Sequence, residues 1–324
     1  MSITHLVFNL LIVIMALTIC QGCSDHDYES ELPREWTLTE VTDYNSPCVF
    51  LIWVNFTFKN VTYTISIDDN SPKEKKVEIM TDCCPGASGF AVTRKDILTN
   101  WHVTNIQHSF EDKIKQIINN EKNRCKTNNV KITKSEYESC QREVFIIHAN
   151  WKRPVKAISV KESTQADLSW LHVDEDLDIA YPLVVSTVEP HIGNVVYALG
   201  YPVYANNLSQ EERKSWVLME ECSKRPITGT QGNINKNRPL DASGVAWGVV
   251  GKVYEHSATI NPGNSGGPLF DVYGNVIGIN SCKNPTAKAN YCVAMSEVKR
   301  LFPELWERIQ EFNPVEPQVE EEEQ

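Results

Sequence analysis

The sequence lacks the features that mark several other functional classes. It has no excess of basic residues, because 31 Lys and Arg stand against 42 Asp and Glu and give a net charge of -11. Nucleic-acid binding needs a basic surface, so that class of partner is not expected. Among the eight cysteines that follow Cys23 there is no Cys-x-x-Cys pair. A tetrahedral zinc site is therefore not expected, and we predict neither a metal nor another cofactor.

The apolar run near the N-terminus is too short for a comfortable membrane span. It covers 14 positions, Leu6 to Ile19, whereas a membrane-spanning helix needs about 20 residues. This length is typical of the hydrophobic region of a signal peptide, which we predict at residues 1–22. We therefore expect an exported protein, periplasmic or extracellular. Gly22-Cys23 partly fits a lipoprotein processing site, so membrane contact through a lipid on Cys23 stays open.

A glycine-rich serine motif is the most informative feature that is present. Ser265 lies in the run Gly263-Asn264-Ser265-Gly266-Gly267. Glycine reaches backbone conformations closed to other residues and lets amide groups approach a substrate carbonyl closely. Ser265 is therefore the candidate nucleophile, and the amides of Gly263 and Ser265 are the candidate oxyanion hole. A bare Gly-x-Ser-x-Gly can equally be a glycine turn between two strands.

A serine nucleophile needs a general base and a carboxylate that orients the base. His102 ends an apolar segment predicted to be a strand and is the candidate base. Asp178 directly precedes another predicted strand and is the candidate orienting carboxylate, with Asp174 and Asp176 as alternatives. An α/β-hydrolase would need its histidine after the serine, and no histidine follows Ser265. The order His, Asp, Ser instead matches the chymotrypsin-type double barrel.

These segments together resemble the trypsin-like serine peptidases of the HtrA (Deg) type. The resemblance rests on the histidine segment Ile97–Val103, on the serine segment Ala258–Leu269 and, more weakly, on Gly193–Pro202. It implies an all-β, chymotrypsin-like double β-barrel and a serine endopeptidase that acts on proteins or peptides through an acyl-enzyme intermediate. It also favours Asp178 among the acidic candidates. We identify no PDZ-like domain after the barrels, so the resemblance implies only the properties of the family's protease core.

The domain organisation follows from this resemblance and from apolar spacing. Apolar positions recur at helical spacing after His102 and again near the C-terminus. The first helical segment shields the first barrel or acts as a lid, and the second is expected to be one helix packed on the second barrel. The predicted segments are a first barrel at 45–185 with an insertion at about 105–152, a second barrel with the C-terminal helix at 186–312, and an acidic disordered tail at 313–324.

Three residues are predicted to contact substrate. In the double-barrel fold the residue six positions before the serine lies near the base of the pocket for the side chain preceding the cleaved bond, and here it is Thr259. An uncharged pocket cannot pair a buried Lys or Arg, so small or medium apolar residues such as Val, Ala or Ile are expected there. Asn280 and Ser281 are expected to offer backbone groups to an extended peptide.

The cysteines are predicted to form disulfides, because an even number in an exported chain favours them over free thiols. Spacing suggests that Cys282 pairs with Cys292 and that Cys125 pairs with Cys140. Each bond would join segments that are close in sequence.

Two functional classes remain. One is an active serine endopeptidase, and the other is an inactive homologue that binds peptides in the same cleft. The sequence keeps a histidine, an aspartate, a serine and the glycines of an oxyanion hole together, which favours the active enzyme. The oligomeric state is not predicted.

Overall fold

The computed structural model describes residues 34–312, apart from 69, 187, 202–223, 225, 241–250 and 285–288. The predicted signal peptide at 1–22, Cys23 and the acidic tail at 313–324 lie outside the described residues. Among the helices within the described ranges, none is long and apolar enough to cross a membrane.

The first barrel is built on a long antiparallel hairpin. Its strands are β1 (Val49–Ile67), β2 (Lys73–Ala91), β3 (Asp96–Thr99), β4 (Val130–Glu136), β5 (Ser139–Ile147), β6 (Val155–Ser163) and β7 (Leu168–His172). Strands β2, β3, β7, β6, β5 and β1 follow one another in the sheet, and the pairing of β1 with β2 closes the barrel. Strand β4 adds to the far half of β1, at Thr62–Ile67. The apolar run Val49–Val54 is almost fully buried and belongs to the main hydrophobic core.

The second barrel closes in the order β10-β13-β12-β11-β8-β9. Its strands are β8 (Val195–Gly200), β9 (Thr228–Leu240), β10 (Gly251–His256), β11 (Pro268–Phe270), β12 (Val276–Asn284) and β13 (Ala289–Ala294). Small and branched side chains, including Val196, Ala198, Ile234 and Leu269, fill its interior. The predicted all-β double-barrel fold is confirmed.

Helices decorate the two barrels. The α-helices within the described residues are α1 (Leu38–Asn45), α2 (Trp101–Thr104), α3 (Ile106–Cys125), α4 (Met295–Leu301) and α5 (Pro303–Phe312). Helix α3 occupies the start of the predicted insertion. The Asn105 side chain caps it by accepting a hydrogen bond from the amide of Gln107 at 2.9 Å. Phe110 is buried and its ring lies 5.2 Å from that of Phe58, which fixes the helix on the barrel.

The predicted insertion at 105–152 is too long. Strand β5 falls inside that range, yet it pairs with β1 on one side and β6 on the other as a regular barrel strand. The additional structure is therefore helix α3 together with strand β4. The apolar stripe of α3 indicated a helix correctly but could not show where the chain rejoins the barrel.

The C-terminal helix is also corrected by the structure. It is two helices rather than one, because Pro303 has no backbone N–H with which to continue α4. Helix α4 lies on the second barrel, where Glu297 accepts a hydrogen bond from the amide of Lys252 at 3.0 Å. Helix α5 instead lies on the first barrel, where Arg308 is 3.4 Å from the buried carboxylate of Asp96. The prediction that the whole segment packs on the second barrel is wrong.

The two predicted disulfides are not formed. Cys125, Cys140 and Cys292 are all free thiols. The thiol of Cys125 lies 3.9 Å from Glu121 on its own helix, and that of Cys140 lies 3.6 Å from the carbonyl oxygen of Gln141. The register of β12 and β13 sets Cys292 opposite Asn280. Closeness in sequence therefore did not predict the state of these three cysteines.

Buried His256 is expected to make the protein less stable at acidic pH. It is fully buried at the end of β10, and burial lowers its pKa to about 4, against an ordinary value of about 6.5. The unfolded chain therefore binds the proton first as the pH falls. The contribution of neutral His256 to the free energy of unfolding is fully present above about pH 6.5 and is lost toward pH 4. The free energy of unfolding falls by about 3 kcal/mol over this interval.

This prediction can be checked by urea unfolding at pH 7 and pH 4. The His256→Leu variant should lose about 3 kcal/mol less than the unmodified protein over this interval. His191→Leu, at an exposed position, is measured in parallel as the control for replacing a histidine by leucine. An identical pH dependence in His256→Leu would contradict the role given to this imidazole.

Candidate active site

Two consecutive tight turns present Ser265. The turns Asn261–Asn264 and Asn264–Gly267 are each closed by a backbone hydrogen bond of 3.0 Å. Their third positions are Gly263, with φ +100°, and Gly266, with φ +85°. Positive φ at this position is characteristic of type II turns and strongly favours glycine. The glycines of the motif thus fix the backbone on both sides of Ser265.

Ser88 in strand β2 holds these turns from the first barrel. Its hydroxyl donates to the carbonyl oxygen of Gly263 at 2.7 Å, and its amide donates to that of Ser265 at 2.8 Å. The second turn lies so close to strand β2 that a Cβ on Gly266 would be 2.0 Å from the carbonyl oxygen of Ser88. The sequence around Ser88 carries no signal for this contact.

His102 lies in α2, directly after strand β3, and faces a buried carboxylate. Its Nδ1 is 2.9 Å from Oδ2 of Asp167, and its backbone amide donates to Oδ1 at 2.9 Å. Asp167 is fully buried in the turn before β7, and Asn100 anchors that turn by donating to its carbonyl oxygen at 3.0 Å. A carboxylate only accepts hydrogen bonds, so Nδ1 carries the proton and Nε2 is left as the acceptor.

The prediction that Asp178 orients His102 is wrong. Asp178 is exposed in the segment after β7, and Asp174 and Asp176 are exposed as well. The carbonyl oxygen of Asp178 accepts a hydrogen bond from the indole of Trp151 at 3.4 Å. The sequence did contain a signal for Asp167, because it too directly precedes an apolar strand, which begins at Leu168.

Ser281 connects the serine turn with the histidine pair. Its hydroxyl donates to Oδ2 of Asp167 at 2.5 Å, and its carbonyl oxygen accepts from the hydroxyl of Ser265 at 2.8 Å. A register shift between Asn280 and Cys282 in strand β12 places Ser281 at an irregular point of the sheet. The structure therefore brings His102, Ser265 and Ser281 into one network and adds Asp167 to it.

Asn280 does not have the predicted contact with substrate. It is fully buried, its amide donates to the carbonyl oxygen of Gly267 at 2.8 Å, and its own carbonyl oxygen accepts from Gly266 at 2.7 Å. Its side-chain amide donates to the carbonyl oxygen of Pro268 at 2.9 Å. These bonds engage the backbone groups that were expected to face a peptide, so Asn280 supports the serine turn from the second barrel.

Thr259 and the oxyanion-hole amides remain predictions. Thr259 is exposed, and its carbonyl oxygen accepts a hydrogen bond from the hydroxyl of Thr230 at 2.9 Å. Gly263 and Ser265 lie in the two turns described above, with their backbone held by Ser88.

Comparison with known proteins identifies the family. The family model described as a trypsin-like peptidase domain matches residues 87–279, which include His102, Asp167 and Ser265. The chain belongs to the trypsin-like peptidase family. The predicted resemblance to an HtrA-type protease core is confirmed.

The sequences of known relatives align with this trypsin-like peptidase only over limited regions. The serine protease Do-like HtrB of Bacillus subtilis (strain 168) is 51% identical over 57 residues, which are 17% of this chain and 12% of that protein. A probable periplasmic serine endoprotease DegP-like of Halomonas elongata is 29% identical over 137 residues, 42% of this chain and 24% of that protein. The chain therefore matches only a minor part of each relative's length.

A solved structure of the HtrA-type protease AlgW with a decapeptide has a TM-score of 0.51. It is 16% identical, and the match covers 85% of this chain and 68% of that one. At this identity the likeness supports the double-barrel fold of this trypsin-like peptidase.

Proposed function

We propose that this chain is a serine endopeptidase that hydrolyses peptide bonds through an acyl-enzyme intermediate. The observation that carries the proposal is the hydrogen-bonded network of His102, Asp167, Ser281 and Ser265. In this mechanism Ser265 is the nucleophile, His102 is the general base and later the general acid, and Asp167 orients the imidazole.

Asp167 suits this role because its charge is buried but well satisfied. It accepts hydrogen bonds from the ring and the backbone amide of His102 and from the hydroxyl of Ser281. Such bonds offset the cost of removing a carboxylate from water. The buried negative charge would stabilise the imidazolium that forms when His102 takes the proton of Ser265.

The hydroxyl of Ser265 donates to the Ser281 carbonyl oxygen in this structure. Catalysis would begin when the hydroxyl exchanges that acceptor for Nε2 of His102. The released Ser281 carbonyl oxygen would then accept a hydrogen bond from a backbone amide of the bound substrate. The predicted contact of Ser281 with substrate is therefore kept in this proposal.

The oxyanion hole is proposed at the amides of Gly263 and Ser265. The positive φ of Gly263 and the bond from Ser88 to its carbonyl oxygen hold this peptide in one orientation. Donors fixed before the reaction stabilise the tetrahedral intermediate without reorganisation. The same proposal assigns Thr259 to the pocket for the residue before the cleaved bond, with a preference for small or medium apolar side chains.

We also propose that the protein is exported, with membrane contact only if Cys23 carries a lipid.

Labelling with a fluorophosphonate probe tests the proposal, because the probe reacts only with an activated serine. We expect stoichiometric labelling of the unmodified protein and none of Ser265→Ala. The exposed Ser139 in β5 gives the matched control, and Ser139→Ala should label fully. A folded protein that binds peptides but takes no label would instead support the inactive homologue.

A further inference from the structure

A cavity of about 220 Å³ opens beside His102, between helix α3 and the first barrel. Phe56 and Cys83 form part of the barrel wall. The opposite wall is one face of α3, because Asn105, His108, Asp112 and Gln116 recur at three- and four-residue spacing. That face extends about 16 Å along the helix, at 1.5 Å per residue.

The position of the cavity relates it to one half of a peptide substrate. Every described residue that lines it belongs to the first barrel, to helices α2 and α3, or, in the case of Asn105, to the junction between the two helices. Ser265 and Ser281, where the acyl half is expected to bind, belong to the second barrel. His102 delivers a proton to the departing amine in the proposed mechanism. A groove that begins at His102 and leads along α3 therefore lies on the side of the leaving group.

The dimensions suit an extended peptide. A strand rises about 3.3 Å per residue, so a face of about 16 Å would accommodate four or five residues after the cleaved bond. Among the described residues, His108, Asp112 and Cys83 do not form a group that could hold a metal ion. An extended peptide therefore fits this cavity better than a metal ion does.

The lining is acidic. Two carboxylates, Asp82 and Asp112, border the cavity, and none of its described lining residues is Lys or Arg. Burial lowers the pKa of His108, which keeps this neighbouring imidazole uncharged at neutral pH. Apart from His102, which carries a second proton at one stage of the proposed mechanism, the polar side chains that line the cavity are therefore negative or neutral.

Asp112 is the carboxylate more available to a ligand. Asp82 is nearly buried, accepts a hydrogen bond from Ser109 at 2.9 Å and lies 3.6 Å from Lys113. Asp112 is 44% exposed and has two partners on its own helix, Nε2 of His108 at 3.3 Å and Lys115, whose side chain is 66% exposed. Exposed ion pairs contribute little, about 0–1 kcal/mol, so a substrate cation can replace Lys115 at low cost.

We propose that this cavity binds the residues that follow the cleaved bond and that Asp112 selects Lys or Arg at one of those positions. The inference rests on the proposed endopeptidase function and assigns the substrate chemistry of its leaving-group side. A guanidinium or ammonium group would pair with Asp112, and the methylene stem would pack on the apolar wall formed by Phe56.

A peptide library tests the inference. The acyl half is fixed and the four positions after the cleaved bond are randomised, with cleavage read by mass spectrometry. We expect one position to favour Lys or Arg over Ala by about fivefold in kcat/KM. Asp112→Asn should reduce that preference to about twofold or less, and Asp112→Lys should reverse it toward Asp or Glu.

Glu111→Gln is the matched control, because it removes the same charge one residue away and Glu111 does not line the cavity. It should keep the full preference. If Asp112→Asn labels with fluorophosphonate and cleaves peptides with unchanged preference, this inference is overturned and the proposed function stands. Absence of any basic preference in an active unmodified protein overturns it as well. An unmodified protein that neither labels nor cleaves overturns both.

Discussion

Replacing Ser265 by alanine is expected to lower kcat for casein hydrolysis by about six orders of magnitude. The reason is that the variant has no hydroxyl to form the acyl-enzyme. Hydrogen-bond donors and substrate binding would still leave on the order of 10³ to 10⁴ over the reaction in water. The fold should persist, because the lost side chain makes one hydrogen bond to Ser281 and is only partly buried.

The measurement is casein hydrolysis by the purified Ser265→Ala protein, with its thermal unfolding recorded in parallel. Loss of one such hydrogen bond costs about 1 kcal/mol, so the two proteins should unfold within a few degrees of each other. Ser139→Ala should retain full activity. If Ser265→Ala retained a tenth of the activity, another residue would have to be the nucleophile.

The serine turn could be predicted because its information is local. Gly263 and Gly266 adopt positive φ within two residues of Ser265, and a five-residue segment in which three glycines and one asparagine surround the serine has few alternatives to tight turns. The order of His102 and Ser265 along the chain then indicated the double barrel. What the sequence could not show is that Ser88, from the other barrel, holds both turns through two hydrogen bonds.

The choice of aspartate failed for a related reason. Asp167 and Asp178 both directly precede a buried apolar residue, so local pattern does not distinguish them. Strand β3 pairs with β7 from Asp96 opposite His172 to Thr99 opposite Ser169, which brings the two ends that carry His102 and Asp167 together. Only this register, a long-range property, decides which carboxylate meets the imidazole.

The C-terminal segment shows the same limit. Val298, Leu305 and Ile309 are buried, as their helical spacing predicted. Pro303 signalled a break that the spacing alone did not reveal. The partner surface changed at that break, because the Arg308 guanidinium lies 5.4 Å from the ring of Trp170 in the first barrel. Periodicity identifies a buried face but not what buries it.

Asp167→Asn is expected to lower kcat by about 10⁴-fold at neutral pH, whereas Asp178→Asn should stay within about twofold of the unmodified protein. The asparagine is nearly the same shape as the aspartate, so the buried turn before β7 keeps its packing. Its amide group can donate to Nδ1 of His102. That bond would favour the tautomer in which Nε2 carries the proton, and such an imidazole cannot accept the proton of Ser265.

Comparing the two variants separates the chemistry from a general effect of lost charge, because each replaces one carboxylate by an amide. Asp178 is exposed and Asp167 is fully buried, so thermal unfolding of both variants must be recorded beside kcat and KM. A folded Asp167→Asn protein should bind peptide substrate with nearly unchanged KM, since the carboxylate acts through His102 and not on the substrate. Equal loss of kcat in both variants, or loss in Asp178→Asn alone, would indicate that a carboxylate in the segment after β7 orients His102. Either result would contradict a catalytic role for the network of His102, Asp167 and Ser281.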